Sequence, residues 1–247
     1  MKLAKLGDGP EIFHTIQGEG VSAGSPAVFV RTSRCNLHCV WCDTDYTWNF
    51  TATPWPHQKN HKHDKNQVTV EATPAEIAKL VAAYSCPRVV LTGGEPLLQQ
   101  PELLETIRLI RKTLPDCLFV FEVETNGTII PDPDFNSAID QFNVSPKLAN
   151  SGVPENQRLN PAALTHFAAS PNAWFKFVVA SPNDLEEIQT ILKTHHLPAS
   201  RTLLMPEGRT NADLNRNAPW LADCCRDLGL RFCDRLHIRL WGDKRGV

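Results

Sequence analysis

The sequence predicts an α/β fold, an incomplete parallel β/α barrel of about six strands. Two observations carry that expectation. Short apolar runs alternate with stretches of helical periodicity, which is the pattern of parallel strands with helices packed outside them. The strands also end in polar residues suited to chemistry, at 35–44, 92–95, 124–126, 145–147, Lys176 and 205–208, and in such folds the site gathers at the C-terminal strand ends. One polar strand end means little, but six in succession favour a shared site. Residues 1–247 are expected to form one domain, with a surface insertion at about 48–68.

In chain order, residues 11–20 end in Gln17 and Glu19 between Gly18 and Gly20, where small residues let backbone approach a bound group. A tight turn with solvated side chains fits equally well. After a turn at 22–26, the apolar run Ala27-Val28-Phe29-Val30 leads into a loop with cysteines. Beyond Thr44 the chain becomes polar, with Pro54, Pro56, His57, His61, His63 and several lysines, and loses periodicity, as a surface insertion does. The three histidines suit a solvated loop, or a metal. Trp48 and Trp55 are placed to cover the cysteine loop.

Thr73-Pro74-Ala75-Glu76 begins a helix, with an N-cap, a proline at the first position and an acid in the first turn. Ile77, Leu80, Val81 and Tyr84 share its apolar face. A buried strand at 88–92 follows and ends in Gly93-Gly94-Glu95-Pro96. The pattern continues with a helix over 101–113, strands at 118–123, 142–145, 174–179 and 202–205, and helices over 184–195 and 213–228. Lys176 inside an apolar strand must meet a ligand pocket or a partner such as Glu124, because a lone buried ammonium is costly.

Cys35, Cys39 and Cys42 stand at Cx3Cx2C spacing. Three thiolates suit a [4Fe–4S] cluster with one iron left open to a small molecule through oxygen and nitrogen. Structural zinc would need a closed tetrahedral set, for which His38 is the nearest candidate. The remaining cysteines, Cys86, Cys117, Cys224, Cys225 and Cys233, lack framework spacing in a chain too large to need disulfides, and read as small buried apolar residues. The group Cys224, Cys225 and Cys233 leaves room for a second metal site, although nothing nearby completes it.

A net charge of −2 gives no basic footprint for nucleic acid, and no apolar run approaches membrane-spanning length. The first residues show no signal-peptide apolar region, so a cytoplasmic location is expected.

The cysteine loop together with Gly93-Gly94-Glu95-Pro96 resembles the radical S-adenosylmethionine (SAM) superfamily. The chain outside roughly 48–68 more narrowly resembles the 7-carboxy-7-deazaguanine synthase family. The likeness runs from Phe13-His14-Thr15-Ile16-Gln17-Gly18-Glu19-Gly20 through Cys42-Asp43-Thr44, Glu124-Thr125-Asn126-Gly127-Thr128, Ser145-Pro146-Lys147 and Met205-Pro206-Glu207-Gly208 to 241–247. The resemblance implies a [4Fe–4S] cluster on Cys35, Cys39 and Cys42, with SAM on its open iron. It implies SAM contacts from Trp41, Cys42, Asp43, Gly94, Ser145, Pro146 and Lys147, and Mg2+ on Thr44. Ile16, Gln17, Gly18, Arg31, Thr92 and the carboxylate of Val247 would hold a pterin substrate, and Glu19, His14 or water would move the later protons.

The activity implied is ring contraction of 6-carboxy-5,6,7,8-tetrahydropterin to 7-carboxy-7-deazaguanine with loss of ammonia. A homodimer and an electron donor such as flavodoxin or ferredoxin follow from the same resemblance. Two rivals share parts of the motif set. One is a radical SAM activase acting on a partner protein, which would leave Gln17 and Arg31 idle; the other is a non-catalytic iron–sulfur or zinc protein, against which Gly93-Gly94-Glu95-Pro96 argues.

Overall fold

A computed structural model describes residues 1–247. The chain opens with strands the sequence did not announce: β1 (Lys2–Leu6), β2 (Gly9–Pro10) and β3 (Ile12–Ile16). Each is short and mixes apolar with polar residues, so no periodicity stands out. β3 runs antiparallel to β4 (Pro26–Thr32), with Ile12 opposite Val30 and Ile16 opposite Pro26. A short helix α1 (Lys65–Val68) and β5 (Thr69–Glu71) return the chain to β1, antiparallel to it.

The repeating part then begins. α2 (Pro74–Ala82) starts on a full capping box, in which Glu76 N–H donates to Thr73 Oγ1 at 3.2 Å and Thr73 N–H to Glu76 Oε2 at 2.7 Å. Its Ile77 and Val81 are fully buried, each worth about 1.5–3 kcal/mol of apolar burial. β6 (Arg88–Gly93) is followed by α3 (Gln100–Thr113), β7 (Val120–Thr125), α4 (Pro133–Ala138) and β8 (Gln141–Val144). After α5 (Glu155–Arg158) and α6 (Pro161–Ala169) come β9 (Ala173–Val179), α7 (Asp184–Thr194) and β10 (Thr202–Pro206). The last elements are α8 (Asn211–Leu228), β11 (Arg231–Phe232) and α9 (Leu236–Trp241).

The sheet order is β11-β10-β9-β8-β7-β6-β4-β1-β2, with β3 also on β4 and β5 on β1. All pairings from β4 through β6 to β11 are parallel, so the six expected strands are present and the two-residue β11 extends them. The ends do not meet, which leaves the barrel open. One boundary moves: the strand expected at 118–123 lies at Val120–Thr125, because Val120 pairs with Arg88 and leaves Leu118 91% exposed.

The helices α2, α3, α6, α7 and α8 pack their apolar faces on the sheet around a core that includes Leu91, Phe121, Phe142, Phe175 and Phe177. β6 buries Val89, Val90 and Leu91 completely, as a parallel strand covered on both faces must. The 48–68 segment is not all surface. Trp48 and His57 are buried against His38 and the Cys42 carbonyl of the cysteine loop, and Asn49 is buried in hydrogen bonds to Asp45 and the His61 carbonyl, while 51–56 is largely exposed apart from Thr53. No helix is long and apolar enough to cross a membrane.

Candidate functional site

A cavity of ≈260 Å³ opens at the C-terminal ends of the parallel strands. Cys35, Cys39 and Cys42, just past the end of β4, lie on one wall, beside Gly93 and Gly94 at the end of β6. All three are free thiols. Burial pushes the Cys39 thiol up to about 12 and raises those of Cys35 and Cys42 as well, so the bare thiols are protonated and a metal must displace their protons. No three His, Cys, Asp or Glu side chains converge on one point, as a single zinc ion requires. A cluster instead takes each thiolate on a separate iron, and this all-sulfur set fits it. Leu37 N–H points at Cys35 Sγ from 3.4 Å, a donor placed to tune such a cluster.

The glycines have a steric reason. A Cβ on Gly94 would lie 1.9 Å from the Arg34 carbonyl oxygen, and one on Gly93, at φ +128, would lie 2.1 Å from the Thr32 oxygen. Only glycine lets β6 leave the sheet under the cysteine loop. Glu95 turns away from the cavity and is wholly buried, accepting from Asn126 N–H at 2.7 Å, Thr125 Oγ1 at 2.8 Å and Leu97 N–H at 3.1 Å. It braces the end of β7. Burial raises its carboxyl above the ordinary range despite those donors.

Across the cavity the wall is polar. Glu124 on β7 accepts from Gln17 Nε2 at 3.1 Å and from Thr92 Oγ1 at 2.6 Å. Arg31 on β4 donates its Nε to Glu11 at 2.8 Å, and its two η nitrogens make no hydrogen bond within the chain. Tyr46 Oη donates to the same Glu11 at 3.0 Å, and Arg245 pairs with it from residues 243–247, which line the cavity.

A second network lines the same cavity. Glu19 pairs with Lys176 and accepts from Arg235 Nε at 2.9 Å; Arg235 also pairs with Asp43 and donates to the Gly208 carbonyl at 2.6 Å. Burial alone would raise the Glu19 carboxyl, but Lys176 and Arg235 hold it well below the ordinary carboxylate range. Asp43 is likewise lowered to about 2, its burial outweighed chiefly by Arg235.

The cavity brings together Ile16, Gln17, Gly18, Glu19, Arg31, Trp41, Cys42, Asp43, Thr44, Thr92, Gly94, Ser145, Lys147 and Val247. Pro146 is buried beside it without lining it. His14 is a correction: on β3 alternate side chains face opposite ways, so Phe13 and Thr15 reach the cavity while His14 is exposed against Tyr84. Lys176 meets Glu19 and not Glu124, whose oxygens are taken by Gln17 and Thr92. His57 and His63 serve neither a metal nor a solvated loop. His57 Nε2 lies 2.9 Å from the Cys42 carbonyl, and His63 Nε2 lies 2.9 Å from Asp45.

Cys225 packs in the core and Cys233 accepts from Gly20 N–H at 3.0 Å, with no second metal grouping. Trp55 stacks on His38 within the cysteine loop at 3.5 Å between ring centres, and Trp48 meets the same ring edge-on. Sequence reading missed Glu11, Tyr46, Arg235, His237 and Arg245. For Arg235, His237 and Arg245 the one signal was a concentration of charge in 234–245 after the last periodic helix; nothing local marked Glu11 or Tyr46.

Residues 16–160 match a family described as a 4Fe-4S single cluster domain. A protein of Pyrobaculum aerophilum named 7-carboxy-7-deazaguanine synthase is 37% identical, over 96% of this chain and 95% of its own. One of the same name from Halobacterium salinarum is 34% identical, over 96% of this chain and 93% of its own. The crystal structure of QueE from Escherichia coli superposes with a TM-score of 0.64 at 25% identity, covering 92% of each chain. A structure described as native anSMEcpe with bound AdoMet shares the fold, with a TM-score of 0.53 at 18% identity over 87% of this chain and 65% of that one.

Proposed function

The chain belongs to the 7-carboxy-7-deazaguanine synthase family of radical SAM enzymes, and from that premise we propose that it contracts 6-carboxy-5,6,7,8-tetrahydropterin to 7-carboxy-7-deazaguanine with loss of ammonia, in 7-deazapurine (queuosine) biosynthesis. Its cofactors are a [4Fe–4S] cluster and SAM. The observation that carries the substrate reading is the cavity itself, where the three cysteines face a polar wall made by Gln17, Arg31, Thr92 and Glu124.

When bound, the cluster and SAM supply a radical able to remove hydrogen from unactivated carbon. Cys35, Cys39 and Cys42 would hold the cluster, and Trp41, Asp43, Gly94, Ser145 and Lys147 would line SAM. Lys147 Nζ, which donates to Ser145 Oγ at 2.9 Å, brings a positive charge to that side. The free η nitrogens of Arg31 form a fork suited to a substrate carboxylate. Gln17 and Thr92, joined through Glu124, present fixed polar groups to the pterin ring, with Ile16, Gly18 and Val247 completing the wall. Thr44 would supply one ligand to Mg2+, a hard ion that keeps its other positions for substrate oxygen and water.

Glu19 is ionised and fully engaged by cations, so its part is to order the charge network. His237, at 3.9 Å from Glu19 and also on the cavity, is kept neutral by burial and is the better placed group to exchange a proton with bound substrate. Residues 1–247 act as one radical SAM domain with 48–68 as its insertion, working as a homodimer with a flavodoxin- or ferredoxin-type electron donor.

The test is anaerobic. Cluster-reconstituted protein is given SAM, reductant and 6-carboxytetrahydropterin, with and without Mg2+, and product is followed by mass. Many turnovers without matching 5′-deoxyadenosine support the reading. SAM cleavage without pterin product points to a protein-activating enzyme, and absence of SAM binding to a simple iron–sulfur protein.

A further inference from the structure

Residues 243–247 form part of the cavity wall, and one buried acid holds them there. Glu11 has a side chain only 1% exposed and stands between two arginines from distant parts of the chain. One oxygen accepts from Arg31 Nε at 2.8 Å and Tyr46 Oη at 3.0 Å; the other pairs with Arg245. Arg245 also donates to the Lys5 carbonyl at 2.8 Å and lies 3.6 Å over the Tyr46 ring, a cation–π geometry. Gly246, at φ +73, lies against Leu6 so closely that a Cβ there would meet Leu6 Cδ2 at 2.6 Å. At the other end of the strap, Asp243 lies 3.7 Å from both Lys59 and Arg209.

We infer that Glu11 is a positioning residue that fastens the 243–247 strap and orients Arg31 through the same carboxylate, making the two into one recognition wall for an anionic substrate. The inference rests on the proposed function, in which Arg31 receives the substrate carboxylate. With Nε committed to Glu11, Arg31 is held with both η nitrogens toward the cavity, which is the presentation a bidentate contact needs. Without Glu11 the two arginines would repel, releasing the strap and turning Arg31 together.

The test uses cluster-loaded enzyme carrying E11Q, which keeps the side-chain shape, and R245M, which breaks the same contact from its more exposed partner. Tryptic cleavage after Lys244, followed by intact mass, is read without substrate, and steady-state kinetics with it. Both variants should be cut there at least several-fold faster than wild type and raise KM for the pterin by about tenfold or more, with kcat changed much less and iron content and SAM affinity unaltered. Should E11Q fold poorly, R245M decides alone. Cleavage at the wild-type rate overturns the fastening, and faster cleavage with unchanged KM overturns the role in recognition. If wild-type enzyme ignores the pterin, the reading of Arg31 fails while the cleavage experiment still decides the fastening.

Discussion

Arg235 Nε donates to Glu19 Oε1 at 2.9 Å, joining residues 216 positions apart in the chain. Through its other nitrogens Arg235 also reaches Asp43, next to the last cysteine of the loop, and the Gly208 carbonyl. One guanidinium therefore ties the glycine-flanked segment, the cysteine loop and the loop after β10.

Lys176 is the second cation on Glu19, and both side chains are largely buried. Removing one partner of a buried pair leaves its mate poorly compensated, though Arg235 still faces Glu19. Lys176→Met should therefore cost about 2–4 kcal/mol of unfolding free energy. Urea denaturation of K176M, E19Q and the double variant checks it. The double variant should be more stable than the sum of the two single losses predicts, and strict additivity would show that the pair is not coupled.

The same network sets a pH dependence. The folded Glu19 carboxyl lies well below its ordinary 4.5, so its ionised form is favoured by folding. That contribution is fully present above pH 4.5 and is lost as pH falls through the folded value. Metal-free wild-type chain should lose stability more steeply than E19Q below about pH 4.5, by urea midpoints at successive pH values. Parallel curves would mean that Glu19 is not held ionised by its neighbours.

Gly94→Ala forces a Cβ to within 1.9 Å of the Arg34 carbonyl, and backbone must move. Because Arg34 directly precedes Cys35, the displacement falls on the cluster loop. Reconstituted G94A should hold less than half of the roughly 4 iron atoms a loaded chain carries, by colorimetric iron assay. Full iron content would show that the loop tolerates the shift.

Thr44 lies on the cavity wall, its hydroxyl 3.6 Å from Cys42 Sγ. Thr44→Ala should leave iron content and SAM binding intact while abolishing stimulation by Mg2+. A variant retaining wild-type activity and Mg2+ dependence removes Thr44 from the metal.

The parallel strands were legible because each is a compact apolar run buried on both faces, as with Val89, Val90 and Leu91. The cysteines and Gly93-Gly94 were legible for a different reason: their spacing is local. β3 was not, because Phe13, His14 and Thr15 sit next to a glycine-rich stretch that read as a turn, and its two-residue period went unused. His14 is a candidate only through the family motif, and the alternation along β3 turns it away from the site. Arg235 meets Glu19 and Asp43, and Arg245 meets Glu11, across 192–234 positions, and no local pattern marks such a pairing in advance. Lys176 was seen to need a partner, but choosing Glu19 over Glu124 required the fold.

The aromatic cover of the cysteine loop has a spectroscopic consequence. Of the chain's 6 tryptophans, Trp41 is in the loop, and Trp48 and Trp55 both touch His38 within it. Half of the chain's tryptophans would thus sit beside the cluster, where a strongly absorbing chromophore drains their excited states. Loading and loss of the metal centre can be timed by emission from the native chain, without a label.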